Sequence, residues 1–252
     1  MGVQDLNLIK TRGVVLKTQD YKENDKLVWL FTEKLGKISL IAKGARKGKS
    51  KLMSTTLPFC YGEFVLYKGR SMYILNEGKI IESFQDLLED FEYLIYGSYL
   101  NELVDICCED GQKEFFIFKN LITAFYLMKN KVVDLDILAR AFELKILSHT
   151  GYGINLEECC ICGNKINTSN YLSMQYYGMI CNNCEKRYVT QISTIAYNIL
   201  KFLNKSELEK VPRIKVPQNA KKEIEQILSN IISTNYTKRP KSLDMLKHFK
   251  VE

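Results

Sequence analysis

The sequence predicts an α+β protein, in which an N-terminal β-barrel precedes a helical domain that carries a four-cysteine insert. Three observations support this fold class. Short strand-like segments fill residues 11–82, a 3.6-residue apolar period follows from about Phe84, and two cysteine pairs lie between 159 and 184. The predicted domains are 1–82 for the barrel, 83–154 and 190–252 for the helical domain, and 155–189 for the insert.

Alternating apolar positions and turn signals define the first domain. They predict strands at residues 12–17, 26–32, 37–42, 64–68, 72–75 and 79–82. Five or six short strands in about 70 residues are typical of a small closed or partly open β-barrel, and an SH3-like barrel or a sandwich fragment would show the same pattern. Trp29 and Phe31 are large and apolar, and we expect them to fill the barrel core.

The apolar period changes to a helical one after Phe84. Residues three and four apart predict helices at 94–106, 114–129, 135–146, 192–203 and 224–231. Asp134 is typical of the start of the third of these helices, whereas Pro212 and Pro217 predict a loop before the last one. No apolar run approaches the roughly 18 residues that cross a bilayer, and no signal peptide is apparent, so we expect a cytoplasmic protein.

The positive charge of the chain is concentrated in the first domain. The net charge is +7, but residues 1–80 alone carry 15 Lys plus Arg against seven Asp plus Glu. Residues 43–51 (KGARKGKSK), which we call the basic loop, hold five cations and no carboxylate. Such a loop cannot be buried, because each unpaired cation would cost several kcal/mol to desolvate.

The basic loop must therefore lie in water or against a polyanion. A solvated, mobile loop is one interpretation. The other is an electrostatic track for nucleic-acid phosphates, with glycines that let the loop bend and with nearby strand cations that extend it. The predicted phosphate contacts are Lys43, Arg46, Lys47, Lys49, Lys51, Arg12, Lys17 and Lys37. The alternative to a core position for Trp29 and Phe31 is that they stack on bases, together with Tyr21 and Tyr67.

Four cysteines have the spacing of a metal site. Cys159 and Cys162 form one C-x2-C pair, and 18 residues later Cys181 and Cys184 form a second. Two residues between thiolates let one turn aim both sulfurs at a single ion, so two such turns predict a closed, structural Zn²⁺ site. Cys160 is left out, because only one residue separates it from Cys162.

No catalytic constellation is recognisable in the sequence. Gly44 and Gly48 enclose three residues, whereas a phosphate-binding loop of an NTPase requires four. The two histidines, His149 and His248, lack the H-x-E spacing of zinc deaminases. A four-thiolate site also has no open coordination position. We therefore expect that the protein is not an enzyme.

The chain contains two long runs, VVLKTQDYKENDKLVWLFTEKLGKISLIAKGARKGKSKL and LPFCYGEFVLYKGRSMYILNEGKIIESF. Both resemble the N-terminal part of the RecO family of bacterial recombination mediators. The resemblance continues through the cysteine pairs to YTKRPKSL. It implies an OB-fold barrel, a helical domain and a zinc-binding insert. The family's basic loop matches Lys43, Arg46, Lys47, Lys49 and Lys51, and its metal ligands match Cys159, Cys162, Cys181 and Cys184.

The resemblance also implies a function. Proteins of this family bind single- and double-stranded DNA, anneal complementary strands without ATP, and work with RecR and often RecF to load RecA. They also contact the tail of the single-stranded-DNA-binding protein. A cytoplasmic, nucleoid-associated protein follows from this. The alternative is a zinc-ribbon OB-fold protein that acts on RNA or the ribosome.

A second, weaker basic cluster lies near the C-terminus, where Lys238, Arg239 and Lys241 follow the last predicted helix. These cations either contact DNA or a partner, or they form an ordinary polar helix end.

Overall fold

The computed structural model describes residues 8–238, 240–242 and 245. The chain divides into two compact units, of which the first runs to Lys129 and resumes at Lys241, and the second is Asn130–Pro240. The helices predicted at 94–106 and 114–129 thus group with the barrel. The domain boundaries predicted from the sequence remain predictions. None of the described helices combines the length and the apolar character that a membrane span requires.

Five strands close the barrel of the first unit: β1 (Leu8–Tyr21), β2 (Asp25–Thr32), β3 (Gly36–Ala42), β4 (Tyr61–Lys68) and β5 (Tyr73–Glu82). Their order is β1-β2-β3-β5-β4, and β1 closes the barrel because it pairs with both β2 and β4. The predicted OB-fold barrel is therefore confirmed. The two strands predicted at 72–75 and 79–82 are one strand, because residues 77 and 78 continue the pairing with β4.

Strand alternation decides which side chains fill the barrel, since successive residues point to opposite faces. The buried barrel core includes Val28, Leu30, Ile38, Leu40 and Ala42 from β2 and β3. Trp29 and Phe31 therefore point outwards, and the prediction that they fill the barrel core was wrong. Phe31 is instead buried against Phe118, with 5.7 Å between the ring centroids, and Trp29 is half-buried.

The described part of the first unit also contains a 3₁₀ helix (Gln85–Leu88) and three α-helices: the single-turn α1 (Leu52–Thr55), α2 (Phe91–Cys107) and α3 (Phe115–Lys129). Asp90 caps α2, because its carboxylate accepts a hydrogen bond from the Glu92 backbone N–H. Aromatic rings attach α3 to the barrel side of the unit, with Phe59 lying 5.5 Å from Phe125. The helices predicted at 94–106 and 114–129 are confirmed, and the first of them begins three residues earlier than predicted.

The connection between α2 and α3 lies tightly against the start of β3. The Gly111 N–H donates to the Lys37 carbonyl at 2.9 Å. Gly36 has a φ of +67°, and a Cβ there would lie 1.9 Å from the Gln112 carbonyl oxygen. Only glycine fits both the backbone conformation and the space at this position.

The second unit contains α4 (Leu135–His149), β6 (Tyr171–Ser173), β7 (Gly178–Met179), β8 (Val189–Gln191), α5 (Thr194–Lys205) and α6 (Gln218–Asn235). Asp134 caps α4 as predicted, accepting from the Ile137 N–H at 3.2 Å. The buried Lys145 of α4 donates to the carbonyls of Leu203 and Asn204. These carbonyls belong to the last turn of α5 and have no partner within that helix, so a cation is favourable there. Burial lowers the pKa of this lysine.

Part of the segment before α6 is helical rather than the predicted loop. Residues 208–213 form a 3₁₀ helix that contains Pro212, and Pro217 lies at the N-cap of α6. Proline is compatible with the first turn of a helix, where its missing N–H would have no intrahelical partner. The prediction of a punctuated boundary at Pro217 is therefore confirmed, while the 3₁₀ turn was not predicted.

Replacing Gly36 by alanine is expected to lower the free energy of unfolding of the first unit by roughly 3 kcal/mol. About 1 kcal/mol comes from left-handed backbone strain and about 2 kcal/mol from the collision with the Gln112 carbonyl. Trp29, the only tryptophan of the chain, reports on this unit during urea unfolding. Gly48→Ala is the control, because a Cβ there meets nothing within 4 Å. Equal midpoints for the two variants would contradict the assignment.

Candidate nucleic-acid interface and metal centre

The strand register gathers three connections of the barrel at one end. Lys26 at the start of β2 pairs with Ala42 at the end of β3, and Ile41 pairs with Ile74 near the start of β5. The β1–β2 turn, the basic loop and the β4–β5 turn therefore lie around the same opening. We call this end the basic rim. Its exposed cations are Lys22, Lys43, Arg46, Lys47, Lys49, Lys51, Lys68 and Arg70.

Arg46 holds the basic loop against the β1–β2 turn. Its guanidinium donates to the carbonyls of Lys22 at 3.2 Å and Glu23 at 3.0 Å, and it forms an ion pair of 3.1 Å with Asp20. The Gly44 N–H adds a hydrogen bond of 2.8 Å to the Asp25 carboxylate. Much of the hydrogen-bonding capacity of Arg46 is therefore used within the protein, and its main effect is to position the loop.

The lysines of the basic loop are in a different situation. Lys43, Lys47, Lys49 and Lys51 are exposed, and none of them forms an ion pair with any residue that the structure describes. Their ammonium groups are free to bind an external anion. The sequence reasoning missed Lys22, Lys68 and Arg70, because only the register of β2, β3 and β5 places these short turns beside the loop.

The remaining predicted phosphate contacts do not join the basic rim. Lys37 pairs with Phe31, five residues along β3 from Ala42, which corresponds to about 17 Å. Arg12 lies near the opposite end, where its carbonyl accepts from the N–H of Glu33 in the β2–β3 turn. The continuous track expected from the sequence is not present, because residues close in sequence are separated along the strands.

Lys37 and Lys17 are also engaged within the first unit. Lys37 is 8% exposed, and its ammonium donates to the Asp105 carbonyl at 2.5 Å and lies 3.2 Å from the Asp110 carboxylate. The Lys17 ammonium lies 2.5 Å from the Asp105 carboxylate and 4.8 Å from the centroid of the Trp29 ring. This geometry favours a structural role for Lys37, which joins β3 to the end of α2.

Trp29 provides an aromatic surface next to the basic rim. It lies on the outer face of β2, three residues from Lys26, a separation of about 10 Å along the strand. Its cross-strand partner Ser39 is small, so the ring remains half-buried rather than covered. The β2–β3 face is also the face on which OB-folds stack unpaired bases.

The structure brings the four predicted cysteine sulfurs together. The Sγ atoms of Cys159, Cys162, Cys181 and Cys184 all lie within 4.8 Å of one another, and the distance between those of Cys162 and Cys181 is 3.8 Å. A tetrahedral site with metal–sulfur bonds of about 2.3 Å has sulfur–sulfur edges of about 3.8 Å. The donor set and its spacing therefore fit a metal ion held by four thiolates.

Cys160 lies outside this group, since its thiol faces the Gly178 carbonyl at 3.6 Å. The turn that follows Cys159 is closed by the Gly163 N–H, which donates to the Cys159 carbonyl at 2.9 Å. Gly163 has a φ of +73°, a conformation that glycine adopts without strain.

The crowded sulfurs have opposite pKa shifts. Burial acts to raise the pKa of Cys159, but backbone N–H groups of Cys181, Cys162 and Ile161 stabilise its thiolate and lower the value to about 6. Hydrogen bonds with the neighbouring Cys162 and Cys181 raise the pKa of Cys184 to about 12. A bound divalent cation would take the place of the protons that these sulfurs share.

Helix α5 supports the insert within the second unit. The fully buried Tyr197 donates its hydroxyl to the Leu156 carbonyl at 2.9 Å, just before the first cysteine pair. Glu157 forms ion pairs with Lys201 at 3.3 Å and Lys205 at 2.8 Å. The three-stranded sheet β7-β6-β8 has only two or three residues per strand, so these contacts and the cysteine cluster hold it together.

The second basic cluster is described only in part. Lys238 and Lys241 are exposed, and the Lys241 N–H donates to the Glu102 carboxylate at 2.9 Å. Arg239 lies outside the described residues, as does His248. A role of this cluster in binding remains a prediction.

Comparisons with known proteins agree with this architecture. The family model described as Recombination protein O N terminal matches residues 6–84, and Recombination protein O C terminal matches residues 88–244. A protein of Clostridium novyi named DNA repair protein RecO is 53% identical over 250 residues, which cover 99% of this chain and 98% of the relative.

More distant relatives carry the same name. DNA repair protein RecO of Clostridium acetobutylicum is 51% identical, with coverage of 97% of this chain and 99% of the relative. That of Caldicellulosiruptor saccharolyticus is 30% identical, with coverage of 97% and 100%. With an OB-fold barrel, a clustered four-cysteine insert and family matches along nearly its whole length, this chain belongs to the RecO family of DNA repair proteins.

Proposed function

We propose that this chain is a recombination mediator that binds single- and double-stranded DNA, anneals complementary strands without ATP, and assists RecA loading together with RecR. The observation that carries this proposal is the basic rim, where four lysines of one loop are exposed beside further cations of two adjacent turns. The name shared by its relatives supports a role in DNA repair.

Binding to DNA is proposed to start from charge. The basic-loop lysines displace counterions from the phosphate backbone, and this gain is independent of base sequence. About five phosphate contacts on a single strand correspond to a log–log salt slope of about −3 to −4. Trp29 lies close enough to the rim to stack on a base of the same strand, which would add a contact that duplex DNA cannot make.

Annealing then requires no catalytic group. A protein that neutralises the phosphates of two strands lowers their mutual repulsion and raises the local concentration of each strand near the other. Base pairing supplies the free energy of the product, so neither ATP nor a reactive side chain is needed. This mechanism agrees with the exposed cations of the basic rim and with the Trp29 ring that lies beside it.

The partners follow from the family. We propose RecR as the direct partner and RecF as a further one. The tail of the single-stranded-DNA-binding protein would be the ligand that brings the chain to coated strands at the nucleoid. RecA would be reached indirectly through this assembly.

The metal is proposed to be a structural Zn²⁺, held by Cys159, Cys162, Cys181 and Cys184. Four thiolates fill a tetrahedral coordination shell and leave no position for water or substrate. The ion would supply no chemistry to a reaction, and its binding free energy would stabilise an insert whose strands are very short.

Changing Lys43, Lys47 and Lys49 together to glutamine is expected to reduce the magnitude of the single-strand salt slope by about 2, because three counterion-releasing contacts are lost. Fluorescence anisotropy with a labelled oligo-dT, titrated at several salt concentrations, measures this slope. A control variant in which three exposed lysines away from the rim are changed to glutamine should leave the salt slope unchanged. These control positions are Lys34, Lys79 and Lys119.

The rim variant should also lose strand annealing, measured as quenching between two labelled complementary oligonucleotides. Annealing that is abolished by EDTA but resistant to high salt would contradict the electrostatic mechanism. Comparable affinity for structured RNA, together with no annealing of DNA, would instead support the alternative of an RNA- or ribosome-binding protein.

Intrinsic fluorescence tests the position of Trp29 directly. Because it is the only tryptophan, quenching of its emission by unlabelled oligo-dT reports base contact at this ring. We expect clear quenching, and we expect Trp29→Leu to weaken single-strand binding about tenfold, within the roughly 1–3 kcal/mol that stacking contributes per base. Unchanged emission and affinity at saturating oligonucleotide would place the bases elsewhere.

Purified chain is expected to contain one zinc ion, and Cys181→Ser should lose it. The second unit should then unfold at lower temperature, because the insert loses its cross-link, whereas the salt slope of DNA binding should be unaffected. Metal analysis by mass spectrometry and thermal unfolding monitor the two effects. Cys160→Ser is the matched control and should keep the full zinc content, since this thiol lies outside the cluster.

A further inference from the structure

A cleft of about 350 Å³ lies within the first unit, between the middle of β1 and helix α2. Leu16, Lys17 and Thr18 form its strand side, and Ser98 and Asn101 belong to its helix side. The cleft is not part of the basic rim, and neither the proposed DNA contacts of the basic loop nor the metal site uses it.

Asn101 leaves a buried acceptor in this cleft. The residue is 4% exposed, and its amide N–H donates to the Leu16 carbonyl at 3.1 Å. Its Oδ1 atom is buried and has no hydrogen-bond partner among the described residues. A buried amide oxygen without a donor is destabilising. A ligand that donates an N–H or O–H group to this atom would therefore be bound favourably.

The strand beside Asn101 is also unpaired along one edge. β1 pairs with β4 only as far as Val14, and from Lys17 to Tyr21 it pairs with β2 alone. Within the described residues, the second edge of this stretch has no strand partner. The register shift between Val15 and Lys17 marks where the two pairings separate. Such an edge presents N–H and C=O groups at the spacing of another extended chain.

We propose that this edge is a strand-addition site for an extended polypeptide segment of a partner protein. The segment would pair with β1 along residues 17–21, and one of its N–H groups would enter the cleft and donate to Asn101 Oδ1. Main-chain hydrogen bonds supply the affinity, and the cleft selects the side chain that accompanies them.

The chemistry of the cleft favours a polypeptide over nucleic acid. The one cation among its described lining residues is Lys17, and this lysine is already paired with the Asp105 carboxylate, so the cleft offers no uncommitted cation to a phosphate. The repeating donor and acceptor pattern of a strand edge matches another strand and has no counterpart in a sugar–phosphate backbone. The expected segment is extended and has no acidic residue facing Asp105.

Two variants test the site from different sides. Asn101→Leu removes the acceptor, and Ser98→Trp fills the cleft from α2 without changing Asn101. The probe is a phage-displayed heptapeptide library selected on the full chain, followed by fluorescence polarisation with a synthetic selected peptide. We expect both variants to bind the peptide at least tenfold more weakly. The salt dependence of their binding to oligo-dT should be unchanged.

Hydrogen–deuterium exchange locates the bound peptide. It should protect backbone amides of residues 17–21 in the unmodified chain and not in Ser98→Trp. Far-UV circular dichroism and thermal unfolding show whether each variant retains its fold. Failure to enrich any peptide, variants that bind the peptide as tightly as the unmodified chain, or protection elsewhere would overturn the proposal. So would protection of these amides by oligo-dT but by no peptide, which would make the edge a nucleic-acid surface.

Discussion

The double pairing of β1 is the constraint on which the first unit depends. This strand spans 14 residues and pairs with β4 in its first half and β2 in its second, so a single strand closes the barrel. Closure fixes the register of β2, β3 and β5, and the register places three connections around one opening. The rim is thus a consequence of hydrogen bonding between strands, whereas most of its cations lie in the connections. As far as the structure describes the chain, the same arrangement leaves one edge of β1 without a strand partner beside α2.

A second level of organisation comes from the salt bridges around Asp105. Lys37 and Lys17 approach this carboxylate from β3 and β1, and together they join the barrel to the end of α2. Lys37 is nearly buried, so a phosphate could reach it only by displacing its internal partners. Two cations that the sequence groups with the basic loop are therefore used to hold the scaffold. Among the residues that the structure describes, the lysines of the basic loop form no ion pair, whereas Asp20 pairs with Arg46 and so positions the loop.

Features encoded by residues close in sequence could be predicted. The spacing within each cysteine pair predicts a single turn, and the structure brings together the same four sulfurs. The basic loop could be predicted as well, because its residues from Lys43 to Lys51 are contiguous. Features that depend on strand phase could not be predicted. Whether Trp29 or Val28 faces the barrel interior depends on which face is covered, and Phe118 on a distant helix covers Phe31. Lys22 and Arg70 belong to the rim only through register, and Arg12 is excluded from it for the same reason.

Electrostatics separates the two proposed sites. A Zn²⁺ ion bound by four thiolates has a net charge of −2, so the metal centre itself repels a phosphate backbone. The excess positive charge of the chain is confined to residues 1–80, and eight exposed cations of this part lie on the rim. In the proposed mechanism, metal binding contributes to the folding of the second unit, whereas the first unit sets the DNA affinity. Because the two units have separate cores, changes in zinc content and changes in rim charge should act on different measurable properties.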